Sequence, residues 1–250
     1  MPLYTKQIGQ GPDLVLLHGW GFNSSIWGAF AAGLAQHYRV TLIDLPGFGQ
    51  SPLPAGSYRL AELVERILQV APRQAHYLGW SLGGVIACAV ARDAPARVQS
   101  LLLLASSPCL VQKQNWPGIA GHMLESFKRK LQQDYRSALR EFLYLQLPAC
   151  RSKAQLQALI RHMAEQPAPA GDALLQGLQL LQETDLRTDI IRLTCPQTWM
   201  LGEADQLLPV ALAHQLPDAR VVVLAQAGHA PFLSHPETTL QRVREYLDAI

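Results

Sequence analysis

His76-Tyr77-Leu78-Gly79-Trp80-Ser81-Leu82-Gly83-Gly84, followed by Val85-Ile86-Ala87-Cys88-Ala89-Val90-Ala91, is the stretch whose reading decides the fold. An apolar run ends in Gly-x-Ser-x-Gly and passes at once into an alanine-rich segment of helical character. That is the strand, sharp turn and helix of a nucleophile elbow. Ser81 is the candidate nucleophile, and Gly79 and Gly83 remove the side chains that would crowd strand against helix around a strained turn.

Outward from this elbow the chain alternates between strand-like and helix-like segments. Residues 3–8 form a short alternating segment, 13–17 a continuous apolar run, and 39–43, 75–79 and 98–105 further buried strands; residues 22–38 hold a loop and a helix, and 60–71 are helical in period. From Ser106 to about Arg187 only amphipathic segments of helical spacing occur, near 118–133, 135–147, 152–166 and 171–183. Strands return at 197–201 and 220–224, and a last helix runs from Pro236 toward Ile250. The expected architecture is α/β: a mostly parallel sheet of about seven strands with flanking helices and an inserted helical cap. The boundaries are 1–107 for the first part of the core, 108–186 for the cap and 187–250 for the second part.

A serine hydroxyl is a poor nucleophile near neutral pH, so Ser81 needs a base and a carboxylate to orient it. Of eight histidines, His229 is best placed, in the small-residue loop Ala227-Gly228-His229-Ala230-Pro231 between the last strand and the last helix. His214 and His235 sit on or beside helices and read as surface residues. Asp205 follows the strand at 197–201, with Glu203 as the alternative acid. The order Ser, Asp, His is that of the α/β-hydrolases. The oxyanion needs two fixed N–H donors. Leu82, directly after the nucleophile, offers one, and Trp20 in His18-Gly19-Trp20-Gly21, at the carboxyl end of the strand at 13–17, offers the other. His18 reads as a brace for that loop and not as a second base.

Composition narrows the alternatives. With 49% hydrophobic and 16% charged residues the chain is globular rather than disordered. A net charge of +2 gives no general case for nucleic acid. No apolar run reaches the length of a membrane span and no h-region follows Met1, so a soluble, cytoplasmic protein is expected. A monomer is expected as well, although the residues do not fix the oligomeric state. Cys88, Cys109, Cys150 and Cys195 form no ligand pattern. They read as reduced thiols, and neither a metal nor a cofactor is expected.

The sequence resembles the α/β-hydrolase superfamily over nearly its full length, through His18-Gly19-Trp20-Gly21, Asp44-Leu45-Pro46-Gly47-Phe48-Gly49-Gln50-Ser51, Gly79-Trp80-Ser81-Leu82-Gly83-Gly84 and Gly228-His229. Within it, Gly19-Trp20-Gly21-Phe22-Asn23 before Trp27, Trp80, Ser106-Ser107-Pro108-Cys109, Trp116-Pro117-Gly118 and His229-Ala230-Pro231-Phe232-Leu233-Ser234-His235-Pro236 look like the family of pimeloyl-carrier-protein methyl ester esterases of biotin synthesis. The resemblance implies a carboxylesterase that removes a methyl cap from a dicarboxylic half-ester carried on acyl carrier protein. The residues themselves leave open a generic short-chain carboxylesterase and, from another class, a non-catalytic small-molecule receptor on the same fold. Only one strand precedes that at 13–17, so the sheet is expected to have seven strands where many members have eight.

Local charge favours an acidic partner. Between Lys128 and Arg161 eight basic residues face two acids. Arg136 and Arg140, four apart on one helical face, together with Arg151, are the candidate carrier-protein docking residues. Trp20, Trp80 and Phe142 are the candidate substrate-binding side chains, with Trp116 and Phe127 as further candidates for lining an acyl channel.

Overall fold

The computed structural model describes residues 1–54, 56, 58–146, 153–216 and 220–250. Among the described residues seven strands make one sheet: β1 (Thr5–Ile8), β2 (Asp13–Leu17), β3 (Arg39–Ile43), β4 (Ala75–Trp80), β5 (Val98–Leu104), β6 (Gln197–Gly202) and β7 (Arg220–Leu224). Their spatial order is β1-β3-β2-β4-β5-β6-β7, with β1 antiparallel to β3 and every other pair parallel. The expectation of seven strands holds, and most ends agree to within a residue or two.

Because side chains alternate across a strand, the continuous apolar runs fill two cores. Val15, Leu17, Tyr77, Leu101, Leu103, Trp199 and Leu201 face one core, beside α2 (Leu60–Val70) and α3 (Leu82–Asp93). Leu14, Leu16, Leu42, Leu78, Trp80, Leu102 and Met200 face the other, beside α1 (Gly28–Leu34) and the last helix of the chain, Pro236–Leu247.

Between β5 and β6 lie α4 (Gly121–Gln133), α5 (Tyr135–Gln146), α6 (Lys153–Glu165), α7 (Gly171–Glu183) and the short α8 (Arg187–Ile190); α9 (Pro231–Ser234) and α10 (Pro236–Leu247) follow β7. The first of these helices starts at Gly121 rather than near 118. Backbone bridges Val111↔Ile119 and Lys113↔Trp116 occupy the preceding residues. Packing of α4 against α5 and α7 joins the inserted helices to one another.

The elbow sits where β4 turns into α3, near the middle of the sheet. Ser81 has φ 53° and ψ −117°, a conformation costly for a residue with a side chain. Its carbonyl is held by the N–H groups of Gly84 and Val85 and by the Ser106 hydroxyl at 2.9 Å, and its own N–H donates to Leu104 at 3.0 Å. Gly79 relieves strand–helix crowding as expected, since a Cβ there would lie 2.4 Å from the Gly83 carbonyl oxygen. Gly83 serves a different approach. Its Cβ would lie 2.1 Å from the carbonyl oxygen of Leu17, on the neighbouring strand β2. Both partners are backbone and neither can step aside, so Gly83→Ala is expected to lower unfolding free energy by about 2–3 kcal/mol, read from the urea midpoint. An unchanged midpoint would show that the start of α3 can lift off β2 freely.

Candidate active site

Three strand-end loops converge above the carboxyl edge of the sheet. Asp205 follows β6 and His229 follows β7, and both side chains are almost wholly buried, at 1% and 2% exposure. Asp205 Oδ2 lies 2.8 Å from His229 Nδ1, while Oδ1 accepts from the N–H groups of Leu207 at 2.8 Å and Leu208 at 3.0 Å. An ionised carboxylate only accepts, so Nδ1 carries the imidazole proton and Nε2 is left with its lone pair. Nε2 is buried and makes no hydrogen bond to any described residue. His229 lines the same cavity as Ser81. No hydrogen bond joins Ser81 to it, in keeping with ligand-free sites, whose catalytic contacts tighten when substrate enters.

Glu203 takes no part in this arrangement. It is exposed and accepts from the Gln226 N–H at 3.0 Å, which ties the loop after β6 to the loop after β7. His214 is exposed and His235 half-buried, each on or beside a helix as expected.

Leu82 is the first residue of α3, so its N–H has no acceptor within the helix. The Trp20 N–H makes no hydrogen bond to the described residues. His18 secures the loop that carries Trp20. Fully buried, it donates from Nδ1 to the Gly19 carbonyl at 2.8 Å and accepts at Nε2 from the Leu45 N–H at 2.9 Å. Burial holds this imidazole below its ordinary value of 6.5, outweighing the Gly19 bond and the charge of Asp44, which act upward. The sign of the consequence follows. Above pH 6.5 the group is neutral in both folded and unfolded chains. As pH falls below that value the unfolded chain takes up the proton first, and stability is lost. The gap in unfolding free energy between the parent and His18→Ala should therefore narrow on going from about pH 7 to 5, a comparison in which all other groups cancel. Parallel stability curves would refute a depressed His18.

The cavity measures about 120 Å³, and apart from Ser81 and His229 its walls are apolar. Trp20, Phe127 and Phe142 line it, as the sequence suggests, and their rings meet edge to face or tilted at 5.0–5.6 Å between centroids. Two expected aromatics are elsewhere. Trp80 points to the far side of the sheet among Phe22, Trp27 and Phe232, because alternation along β4 turns residue 80 away from α3. Its indole N–H donates to the His229 carbonyl at 2.7 Å, so it braces the histidine loop and does not line this cavity. Trp116 packs beneath the Arg187 guanidinium and donates to the Cys109 carbonyl at 2.8 Å. The remaining walls, Leu110, Ile119, Met123, Leu124, Leu178, Leu181 and Leu207, were not singled out from sequence. For Met123, Leu124, Leu178 and Leu181 the signal is the apolar stripe of the helices at 121–133 and 171–183; Leu110, Ile119 and Leu207 lie on connecting segments without such a pattern.

Arg136 and Arg140 are exposed on α5, and the Arg136 guanidinium lies 5.8 Å from the Tyr135 ring centroid. Lys130 pairs with Glu141. Arg151 lies outside the described residues. Among the described residues no group of His, Cys, Asp and Glu is clustered to hold a metal ion, and no helix is long and apolar enough to cross a membrane.

A mostly parallel sheet in this order, a strained serine between β4 and α3, and an Asp–His pair on the loops after β6 and β7 define a hydrolase of the α/β type. The chain belongs to the alpha/beta hydrolase family, whose model matches residues 14–242. Among curated proteins it is similar to the pimeloyl-[acyl-carrier protein] methyl ester esterase of Aeromonas salmonicida (strain A449), 44% identical over 99% of this chain and 100% of that protein. The protein of the same name from Serratia marcescens is 39% identical over 99% of this chain and 98% of that protein. Among solved structures, a hydrolase from Pseudomonas aeruginosa PA01 superposes with TM-score 0.83 at 28% identity, covering 98% of this chain and 94% of that one. An esterase from Exiguobacterium antarcticum shares the fold with TM-score 0.89 at 23% identity, covering 98% and 95%.

Proposed function

We propose that the chain is a serine carboxylesterase acting on the methyl ester of pimeloyl-acyl carrier protein. The observation that carries the reading is the buried Asp205–His229 pair, whose histidine has an unpartnered Nε2 and lines the same apolar cavity as Ser81. His229 takes the Ser81 proton as Oγ attacks the ester carbonyl, and the Trp20 and Leu82 N–H groups receive the oxyanion. Collapse breaks the bond from carbonyl carbon to methoxy oxygen, and methanol leaves with the proton from His229. Water, activated by the same imidazole, then breaks the acyl–Oγ bond and returns the serine and a free carboxylate. No metal or cofactor is required for these steps. The relatives' names support the substrate, and the apolar walls suit an uncharged alkyl ester better than a carboxylate, which would lose hydration there without a partner. The direct test is release of methanol from the carrier-bound ester, followed by mass spectrometry of the carrier. Loss of one methylene unit of mass is expected, and an unaltered carrier would overturn the reading.

In this reading the inserted helices 108–186 act as a cap over Ser81, and the enzyme works as a cytoplasmic monomer. Arg136 and Arg140 on α5, together with Arg151, receive the acidic carrier. Acyl carrier proteins are acidic, so the basic face would steer them and orient the tethered chain. Reversing Arg136 and Arg140 to Glu is expected to lower kcat/KM for the carrier-bound ester by about tenfold, or 1.4 kcal/mol, and to leave a short nitrophenyl ester nearly unchanged. Equal losses on both substrates would assign the arginines to the fold of the insertion instead.

A further inference from the structure

The proposed oxyanion donor on the β2 side belongs to the peptide that joins Gly19 to Trp20. Its carbonyl is tied to His18 Nδ1 at 2.8 Å. This peptide is trans, so the N–H points opposite to the carbonyl, here the N–H of Trp20. One anchor leaves the plane free to rock about the line of that bond. The chain beyond gives little resistance, because Gly21 follows at φ 80° and the turn bond from Phe22 N–H to the Gly19 carbonyl is long, at 3.4 Å.

The second anchor is the Trp20 side chain. Its indole N–H reaches across to the inserted helices and donates to the Leu174 carbonyl of α7 at 2.9 Å. Its ring meets Phe127 of α4 edge-on at 5.6 Å and Phe142 of α5 at 5.0 Å. Behind it, on α7, Gly177 has no side chain, and a Cβ there would lie 3.0 Å from Trp20 Cδ1 and 3.3 Å from Nε1. An indole that is 2% exposed is thus registered against three inserted helices, while its own backbone carries the donor.

We propose that the Trp20 indole is a positioning residue that sets the direction of the Trp20 N–H through its bond to Leu174, so that the placement of the inserted helices governs how well the oxyanion is held. The inference rests on the roles given above to Ser81 and the Trp20 N–H. A donor that acts on the oxyanion contributes mainly in the transition state, where charge has developed on the carbonyl oxygen. Misdirecting it should therefore lower kcat and spare KM. Losing one such donor outright costs about 100- to 1,000-fold, so a partial misdirection is expected to cost about five- to tenfold.

Two variants disturb the indole from different sides. Trp20→Phe keeps an aromatic ring and removes the N–H that reaches Leu174. Gly177→Ala presses on the indole from a helix position off the cavity wall, and alanine favours the helix itself. Each is expected to lower kcat for a short nitrophenyl ester by about five- to tenfold with KM within about twofold. An alkyl boronic acid, which forms a tetrahedral adduct on serine, should bind more weakly by a similar factor. The double variant should be little worse than Trp20→Phe alone, because the smaller ring leaves room for the added methyl. A rise in KM with kcat unchanged would make the indole only a cavity wall, and additive losses would make the Gly177 effect independent of Trp20. Unchanged kinetics in both variants would also overturn the proposal. If Trp20→Phe fails to fold, Gly177→Ala with its kinetic split and boronate affinity still decides. A parent protein without esterase activity would refute the function proposed above, whereas an active parent with unaffected variants refutes the tether alone.

Discussion

Ser81→Ala is expected to lower kcat for ester hydrolysis by at least about 10,000-fold, with the thermal midpoint close to that of the parent. The size of the loss follows from the covalent route: with no Oγ there is no acyl-enzyme, and His229 can only activate water across an empty site. What remains should come from the oxyanion donors and from binding. The fold should tolerate the change because the main-chain contacts of residue 81, to Leu104, Gly84, Val85 and Ser106, do not involve its hydroxyl. Alanine also keeps the Cβ that already occupies φ 53°. Loss of the Ser81 hydroxyl should also abolish labelling by a fluorophosphonate probe, which a receptor with a misaligned site would resist from the start. Activity within about tenfold of the parent would sink the assignment of the nucleophile.

The parts of this molecule that were legible from sequence are those where a local rule and the tertiary structure agree. Strands at 13–17 and 39–43 read correctly because a parallel strand covered on both faces is apolar along most of its length, and the strand at 220–224 through its run of β-branched residues, although Val223 is exposed at the sheet edge. The elbow was legible because its strained serine demands small neighbours, a demand written in Gly79 and Gly83. The pairing of Asp205 with His229 could be anticipated from the loops that carry them, since strand ends in a parallel sheet share one edge.

Facing direction was harder. Trp80 stands beside the nucleophile in the chain, which suggests a substrate residue, yet the strand's alternation turns it to the opposite core, where it braces His229 through its indole. Strand periodicity carried this information, but proximity in sequence outweighed it. The apolar cavity walls on α4 and α7 were illegible for another reason. An amphipathic stripe shows that a helix buries one face without showing what lies opposite, and that depends on how helices far apart in the chain pack together. The same limit applies to Glu203 and Asp205, two acids two residues apart. Only the course of the loop after β6 turns one toward His229 and the other toward the Gln226 N–H.

That loop also makes the second large effect predictable in detail. Asp205→Asn is expected to lower kcat by about 10,000-fold, although the side chain changes by a single group. The orientation of the new carboxamide is already decided by the protein. The N–H groups of Leu207 and Leu208 both point at the Oδ1 position, so the amide oxygen must sit there and the NH2 must take the place of Oδ2. A donor then faces His229 Nδ1, which can accept only by giving up its proton. The neutral ring is driven into the other tautomer, with hydrogen on Nε2, and the lone pair needed to receive the Ser81 proton is gone. Glu203→Gln is the matched control, because Glu203 accepts a single backbone N–H at the surface and touches neither His229 nor the cavity. It should keep kcat within about twofold of the parent. Steady-state hydrolysis of a nitrophenyl ester by the two variants, with the structure checked by near-ultraviolet circular dichroism, separates the outcomes. If Asp205→Asn retains activity within about tenfold, His229 takes its orientation from another group, and the base must be sought among the remaining histidines.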